Sequence, residues 1–372
     1  MLACPRRLPP FLPTVLIGPF VAALVTLGVL VSSGAARAEW KANFEKAQQL
    51  VADKDFRAAE TAALEALGEA DVFGATDDRR IQTLRLLADI YRESRQWAAS
   101  AQLLEQVIEA FKKTGIDQSP DASNVWNRLG VVYQQMKAFD KAEAAYESSL
   151  VIKRKKFKQN VASIAVVVTN LGELYRRQKK WEKAEALHKS ALEDKENELG
   201  PEHPTLVASL NDLALVYREQ KRWDDAKSLL ERARTLAQKG DNGGRNADHA
   251  TALANLADVL AAKSDNVTAK KLYEEALAMR KEVLGGQHPH VAETLNNFAN
   301  LLLSMNQPAD AISMYDQAIE IRKQEFGSSD ATVTTTMKNK AMALDRLGKK
   351  DEAAKLREEA KALELKRAES KP

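Results

Sequence analysis

Cysteine is almost absent from this chain. One cysteine, Cys4, occurs in 372 residues, and it precedes a long apolar run. Beyond that position the sequence excludes disulfides, catalysis by a thiol and metal sites built on cysteine. A lipid-attachment cysteine would have to follow the apolar run, so we interpret Cys4 as incidental. A chain otherwise without cysteine is compatible with an oxidising compartment.

Residues typical of enzymes and metal sites are also scarce. The chain has five histidines, and one of them, His188, occupies a packing position between the two predicted helices of its hairpin. The other four lie in or beside predicted loops: His203, His249, His288 and His290. The last two lack further Cys, Asp or Glu ligands, and no glycine-rich phosphate loop is present. The sequence therefore predicts no enzyme, no metal and no cofactor, with capping or junction roles for His203 and His288.

A long uncharged apolar run spans residues 11–31. It follows Arg6-Arg7 and leads into an Ala-x-Ala pattern that ends at Ala38. These features predict a signal peptide over residues 1–38, removed after Ala38. Because the run is long enough to span a bilayer, a retained membrane anchor stays an alternative. In both cases we expect an exported chain, either periplasmic or secreted, or membrane-anchored and facing away from the cytoplasm.

The basic excess of the chain comes from this leader. The full sequence has 55 basic and 52 acidic side chains. Cleavage would remove Arg6, Arg7 and Arg37 and no acidic residue, which leaves 52 of each sign. A neutral mature chain gives no electrostatic reason to expect nucleic acid or an anionic membrane as a partner. We therefore expect no nucleic acid, and no membrane unless the leader is retained.

What the sequence does contain is a helical hairpin, seen most completely in residues 166–204. Apolar or small residues recur with the i, i+3, i+4, i+7 spacing of a helix on both sides of the short connection at 179–181. That connection is too short to be more than a turn, so the two helices must be antiparallel. Gly172 and Ala184 mark their closest approach. One hairpin cannot bury both of its faces, so the chain must stack several.

The same hairpin recurs along the chain. The position of Ala184 is repeated in eight units at spacings of 41–43 residues. These residues are Ala59, Ser100, Ala142, Ala184, Ala226, Ala269, Ala311 and Ala353. A second position follows seven residues later: Ala66, Val107, Ser149, Ala191, Ala233, Ala276, Ala318 and Ala360. An aromatic residue precedes the first position by three in five units: Phe56, Trp97, Phe139, Trp181 and Trp223.

The first helix of most units carries a large residue followed by a small one. These pairs are Leu87-Ala88, Leu129-Gly130, Leu171-Gly172, Leu213-Ala214, Leu256-Ala257 and Phe298-Ala299. A tyrosine follows the large residue by four in four units: Tyr91, Tyr133, Tyr175 and Tyr217. These aromatic positions fill the hairpin interior, so we interpret them as core rather than as a platform for nucleotides.

This pattern resembles the tetratricopeptide repeat, whose usual period is about 34 residues. The longer period here is similar to that of kinesin light chains and their bacterial relatives. The resemblance is carried by the segments at 199–204 and 284–289, LGPEHP and LGGQHP, each followed by a helix that contains LNDLA or LNNFA. We therefore predict an all-α, right-handed superhelical solenoid of about eight antiparallel hairpins over residues 39–372, in which the terminal units act as caps.

The resemblance also implies a ligand-binding groove lined by the first helices. Its polar residues would sit directly before the large-small pair, two residues after the large residue, and after the tyrosine. These positions predict a peptide-binding site at Asn127, Arg128, Asn170, Glu173, Arg176, Arg177, Asn211, Asp212, Arg218, Asn255, Asn296, Asn297 and Asn300. Asn339, Asp258, Arg92 and Gln134 occupy the same positions. Asparagine can bond to the backbone of an extended peptide, and arginine suits carboxylates.

The sequence thus predicts an extracytoplasmic scaffold or adaptor that binds a protein or peptide partner. The arginine ladder of Arg92, Arg176 and Arg218 favours an acidic ligand, but the same side chains could instead neutralise carboxylates of adjacent repeats. An alternative function is a structural part of an envelope complex or homo-oligomer.

Overall fold

The computed structural model describes residues 33–156, 161–240 and 244–369. The predicted leader lies outside these ranges up to residue 32, and the predicted cleavage position after Ala38 lies within the first described helix. Over the described ranges the chain forms 16 helices and no strand. In the same ranges, no helix is both long and apolar enough to cross a membrane.

The helices follow one another with short connections. They are α1 Ser33–Ala52, α2 Phe56–Asp71, α3 Asp78–Glu93, α4 Trp97–Thr114, α5 Pro120–Gln135, α6 Phe139–Lys156, α7 Val161–Arg177, α8 Trp181–Leu199, α9 Leu206–Glu219, α10 Trp223–Ala237, α11 Ala247–Ala262, α12 Asn266–Leu284, α13 Pro289–Ser304, α14 Pro308–Phe326, α15 Ala331–Arg346 and α16 Lys350–Glu369. Odd-numbered helices are the first helices of the hairpins, and even-numbered helices are the second helices.

The chain divides into two compact units, Met1–Lys158 and Gln159–Pro372. The first unit contains the hairpins formed by α1 to α6, and the second unit contains those formed by α7 to α16. Within each unit every helix packs against the next, and first helices of successive hairpins also touch. This arrangement brings equivalent residues of successive first helices onto one surface. The all-α solenoid fold predicted from the repeats is confirmed.

The small positions that defined the repeat are enclosed in the hairpins. All eight residues at the Ala184 position are completely buried, including Ser100, whose hydroxyl donates to the Ala88 carbonyl at 2.8 Å. The position seven residues later is also buried in all eight hairpins. Since both positions lie on one face of the second helix, a small side chain there lets the first helix approach closely. The predicted helix register is therefore correct.

The predicted aromatic position has a second role. It is the first residue of every second helix, from Phe56 in α2 to Lys350 in α16, including the three hairpins that have lost the aromatic ring. The five aromatic residues are half-buried rather than fully enclosed. The position therefore marks where the helix begins, and the ring adds apolar contact where it is present.

The turn inside each hairpin requires a left-handed residue. Seven non-glycine residues have φ between +56° and +66°: Lys54, Arg95, Lys137, Lys179, Lys221, Ser264 and Asn306. The eighth hairpin has Gly348 at the equivalent position, with φ of +83°. Each left-handed residue lets the next amide reach back to the first helix, as Lys180 N does to the Tyr175 carbonyl at 2.9 Å. This contact closes the helix in the manner of a Schellman motif.

Candidate functional site

The predicted groove residues of the second unit form a row. The residue directly before the large-small pair is Asn170 on α7, Asp212 on α9, Asn255 on α11, Asn297 on α13 and Asn339 on α15. We call these five residues the polar row. Each is half-buried, and successive first helices are in contact. The row therefore presents polar side chains, one from each hairpin, along one surface of the unit.

The middle of the polar row surrounds a half-buried carboxylate, Asp258. Arg218 Nη1 lies 2.5 Å from Asp258 Oδ2 and 3.4 Å from Asn255 Oδ1. The Asn297 amide donates to Asp258 Oδ1 at 3.5 Å, and the Tyr273 hydroxyl also donates to that oxygen. Burial raises the pKa of Asp258, although the Arg218 charge and the Tyr273 hydroxyl oppose this. Arg218 thus pairs with a carboxylate of the next hairpin.

The C-terminal part of the row is linked by amides. Asn339 donates to Asn296 Oδ1 at 3.2 Å, and Asn296 donates to Asn297 Oδ1 at 3.1 Å. On the same helix, Asn300 accepts a hydrogen bond of 2.6 Å from the Tyr315 hydroxyl. These contacts orient the predicted asparagines but use only part of their capacity, since each amide can make several hydrogen bonds.

At the N-terminal end of the unit, the predicted arginines are also paired. Arg176 Nη2 lies 2.7 Å from Glu173, and its Nη1 lies 3.4 Å from Glu219 on the next first helix. Arg177 lies 2.7 Å from the other Glu173 oxygen. Burial opposes ionisation of Glu173, but hydrogen bonds from Arg177 and Arg176 outweigh it and lower the pKa of this carboxyl.

Asp212 differs from the other charged groups. Its Oδ2 accepts a hydrogen bond of 3.2 Å from the Thr169 hydroxyl, and no described cation lies within ion-pair distance. Burial raises the pKa of Asp212 to about 6; the Thr169 hydroxyl and the Lys195 charge act against this, and Asp248 adds to it. The ammonium of Lys195 contacts Ser209 Oγ at 2.8 Å instead.

The neighbouring predicted residue, Asn211, is almost completely enclosed. Its side chain is 5% exposed, and its amide nitrogen donates to the Asp248 carbonyl at the start of α11, at 3.0 Å. Its Oδ1 is buried and has no hydrogen-bond partner among the described residues. Asn211 therefore lies below the surface and contributes an unmatched acceptor.

The first unit carries two predicted residues, Asn127 and Arg128 on α5. Both are half-buried. Arg128 Nη1 lies 2.5 Å from Asp89 Oδ2 on α3, the preceding first helix. Arg92, also on α3, lies 3.7 Å from Asp89 and 2.6 Å from Glu93. Arginines of this unit are therefore also paired with carboxylates.

Sequence reasoning missed a set of basic residues near the ends of the second helices: Lys153, Lys195, Arg280 and Arg322. Arg280 is 3% exposed and donates to the His290 carbonyl at 2.7 Å, to Thr294 at 2.6 Å and to Thr251 at 3.2 Å. Burial lowers the pKa of all four groups. Their spacings, 42 residues within each pair and 85 residues between Lys195 and Arg280, were visible in the sequence. Through its bonds to α11 and α13, Arg280 joins neighbouring helices.

The histidines have structural roles. The His188 ring packs against Gly172 in the interior of its hairpin, and His288 Nδ1 accepts from the His290 amide at the start of α13. His203 Nδ1 accepts from the Thr205 amide at 3.3 Å before α9. In the part of the chain that the structure describes, no group of three or more His, Cys, Asp or Glu residues could hold a metal ion.

Comparison with known proteins agrees with this architecture. A tetratricopeptide-repeat model matches residues 79–155, 160–239 and 248–324, together more than half of the chain. A second tetratricopeptide-repeat model matches residues 211–282. A comparison with curated proteins found no match.

Several solved structures are similar. BtubC (BKLC) from P. vanneervenii is 25% identical over 63% of this chain and 94% of its own, with a TM-score of 0.56. The apo form of the quorum sensor NprR from B. thuringiensis is 13% identical over 92% of this chain and 91% of its own, with a TM-score of 0.60. A putative kinesin light chain from Podosopora anserina, with nearly identical TPR-like repeats, is 21% identical over 57% of this chain and 98% of its own, with a TM-score of 0.47.

The matched segments extend from α3 to α14. The chain belongs to the tetratricopeptide-repeat family, and its period of about 42 residues is that of the kinesin light chain-like members that its sequence resembles.

Proposed function

We propose that this protein is an exported scaffold that binds an extended peptide, or an extended segment of a partner protein, along the polar row of its second unit. Tetratricopeptide-repeat proteins are generally non-catalytic interaction scaffolds, which supports the broader part of this proposal. The observation that carries the narrower part is the row itself: half-buried polar residues at one position of five successive first helices, four of them asparagine.

The geometry of the row suits an extended ligand. Packed helices lie about 8–10 Å apart, and an extended chain rises about 3.3 Å per residue. Successive row residues would therefore meet about every third ligand residue. Asparagine offers both a donor and an acceptor, as the backbone of such a ligand requires. The contacts of the row with the ligand backbone would then be independent of the ligand side chains. Selectivity among ligands would come from protein side chains beside the row that contact charged or large ligand side chains.

The contacts of the arginine ladder favour a role in joining adjacent repeats over a role in binding acidic ligands. Arg176 and Arg218 each pair with a carboxylate of the following hairpin, as in the interpretation that they neutralise adjacent repeats. An acidic ligand would have to compete with these carboxylates. A preference of this protein for acidic ligands stays a prediction.

Substitution of two row asparagines tests peptide binding. Twelve-residue peptides are selected from a random display library on the purified full chain, and their affinities are measured for wild type and Asn255→Ala/Asn297→Ala. We expect affinity to fall at least about tenfold, since each lost contact to a neutral group is worth about 1 kcal/mol. The matched control, Asn266→Ala/Gln317→Ala, alters two amides on second helices and should leave affinity unchanged. Equal binding by wild type and the row variant contradicts the proposal.

Export is proposed from the leader pattern at residues 1–38. Cleavage after Ala38 is compatible with the contacts of α1, in which Trp40 donates to Thr83 on α3 at 2.9 Å and Asn43 donates to Glu69 on α2 at 2.9 Å. Both contacts lie beyond the proposed cleavage position, so cleavage would leave them intact. Intact-mass spectrometry of the protein recovered from the envelope or medium of an expressing bacterium should give a chain that begins at Glu39. Recovery of an uncleaved chain only from the cytoplasm would refute export.

A further inference from the structure

The charges beside the polar row are unequally matched. Each predicted groove arginine of the second unit has a carboxylate partner: Arg176 pairs with Glu173 and Glu219, Arg177 with Glu173, and Arg218 with Asp258. Among the row residues and these partners, the carboxylate that forms no ion pair with a described residue is Asp212. The unmatched charge of this surface is therefore negative, opposite to the sign that the arginine ladder favoured.

Asp212 is also the one position in the row where a carboxylate replaces an amide. The other four hairpins of the unit have Asn170, Asn255, Asn297 and Asn339 there. An asparagine would satisfy the same place in the repeat without a charge. The hydrogen bond that Asp212 accepts from Thr169, at 3.2 Å, would also be available to an asparagine oxygen. Within the chain, the charge of Asp212 acts on the buried ammonium of Lys195, and this is not a direct contact.

The nearest basic side chain does not neutralise Asp212. Lys195 is 8% exposed, and its ammonium donates to Ser209 Oγ at 2.8 Å. Its charge acts on Asp212 only over a longer distance, and it is shared with Asp248, which faces the same place from the start of α11. Two carboxylates therefore act against one buried ammonium.

A second acceptor at this junction is unmatched. Asn211 is at least nine-tenths buried, and its amide nitrogen is bonded to the Asp248 carbonyl. Its Oδ1 has no hydrogen-bond partner among the described residues. An unpaired buried acceptor costs free energy, so the interior next to Asp212 holds one acceptor more than the donors of the described residues satisfy.

We infer that the surface around Asp212, between α7 and α11, binds a cationic group of the peptide ligand, either a lysine ammonium or an arginine guanidinium. The inference rests on the proposed function and adds the chemistry of one ligand residue. A cationic side chain supplies the positive charge that Asp212 lacks and can donate to its carboxylate oxygens. The half-buried setting of Asp212 reduces solvent screening, which strengthens the pairing relative to an exposed site.

The test uses the same random twelve-residue display library on the full chain as wild type, Asp212→Asn and Glu320→Gln. Asp212→Asn reproduces the residue of the other row positions, so the variant should fold. Glu320→Gln removes one negative charge from an exposed position on α14 and controls for net charge. We expect wild type and Glu320→Gln to enrich Lys or Arg at one ligand position, and Asp212→Asn to lose that enrichment.

A double-mutant cycle then isolates the contact. The best wild-type peptide is synthesised with its enriched basic residue and with glutamine in its place, and both are titrated against wild type and Asp212→Asn. We expect glutamine to weaken binding about tenfold for wild type and less than about twofold for Asp212→Asn.

Three results would overturn the inference. Peptides that bind without a basic preference, or with an acidic one, leave the proposed function standing and refute the cationic site. A basic preference that survives in Asp212→Asn also refutes it. If no peptide binds wild type above the level of the row variant Asn255→Ala/Asn297→Ala, both the inference and the proposed function fail.

Discussion

Ala184→Trp is expected to lower the free energy of unfolding by roughly 3 kcal/mol or more, at the upper end of the cost of overpacking a core. Ala184 is completely buried at the closest approach of α7 and α8, and the equivalent residue of every other hairpin is also completely buried. An indole ring has no space there unless the two helices separate. For a unit of the size of Gln159–Pro372, such a loss lowers the melting temperature by roughly 6–12 °C.

Lys179→Ala is the control for this substitution. Lys179 is exposed in the turn that joins the same two helices, with φ of +56°. Alanine adopts this backbone conformation no more readily than lysine does, so the change removes an exposed side chain and should be nearly silent. Thermal unfolding of both variants, monitored by circular dichroism, compares the two losses of stability. Equal losses would show that the assigned register of the hairpin is wrong.

The second large effect is a dependence of stability on pH through His188. This side chain is 6% exposed and packs against Gly172, and burial lowers the pKa of its imidazole to about 4. An unfolded chain has a histidine pKa of about 6.5. The native state therefore resists protonation, so the contribution of neutral His188 is complete above about pH 6.5 and is lost as the pH falls towards 4. The linked loss is about 3 kcal/mol.

His188→Leu isolates this contribution. The next hairpin has Leu230 at the equivalent position, where it is 1% exposed, so leucine suits the site. Denaturant unfolding of wild type and variant at pH 7.5 and pH 4.5 gives the difference in stability at each pH. We expect the variant to gain about 2–3 kcal/mol relative to wild type on acidification. A difference that does not change with pH would show that His188 is not held neutral by burial.

The comparison with a variant is necessary because Asp212 has the opposite effect. Its pKa is raised, to about 6, so the native state binds a proton more tightly than the unfolded chain does. The contribution of Asp212 to the free energy of unfolding therefore increases as the pH falls through about 6, and it is complete below the pKa that Asp212 has in the unfolded chain. The two groups partly cancel in the wild-type profile, and only the difference between wild type and His188→Leu separates them.

Much of the fold could be predicted because the hairpin is a local unit. The residues that make its contacts, such as Gly172 and Ala184, are separated by few residues, and the pattern repeats at nearly constant spacing. The left-handed turn was not predicted, because lysine and arginine are not typical of positive φ. That conformation follows from the need to reverse the chain within a few residues, as at Lys179.

The candidate site was only partly predictable. The spacing of Asn170, Asp212 and Asn255 places them on one surface, and the structure brings them together in a row. Which charges are matched could not be read from that spacing. It depends on the rotation of each helix and on the reach of individual side chains, which direct Lys195 to Ser209 and Arg218 to Asp258.

The sequence by itself determined that this chain forms repeated helical hairpins, where each helix packs, and which family it resembles, since these follow from local periodicity and side-chain size. The tertiary structure alone decided which polar residues are already satisfied. Hydrogen bonds and ion pairs depend on differences of a few tenths of an ångström in the distance between residues about forty positions apart. Within the described residues, these distances leave Asp212 without an ion pair, whereas Arg176 and Arg218 pair with carboxylates.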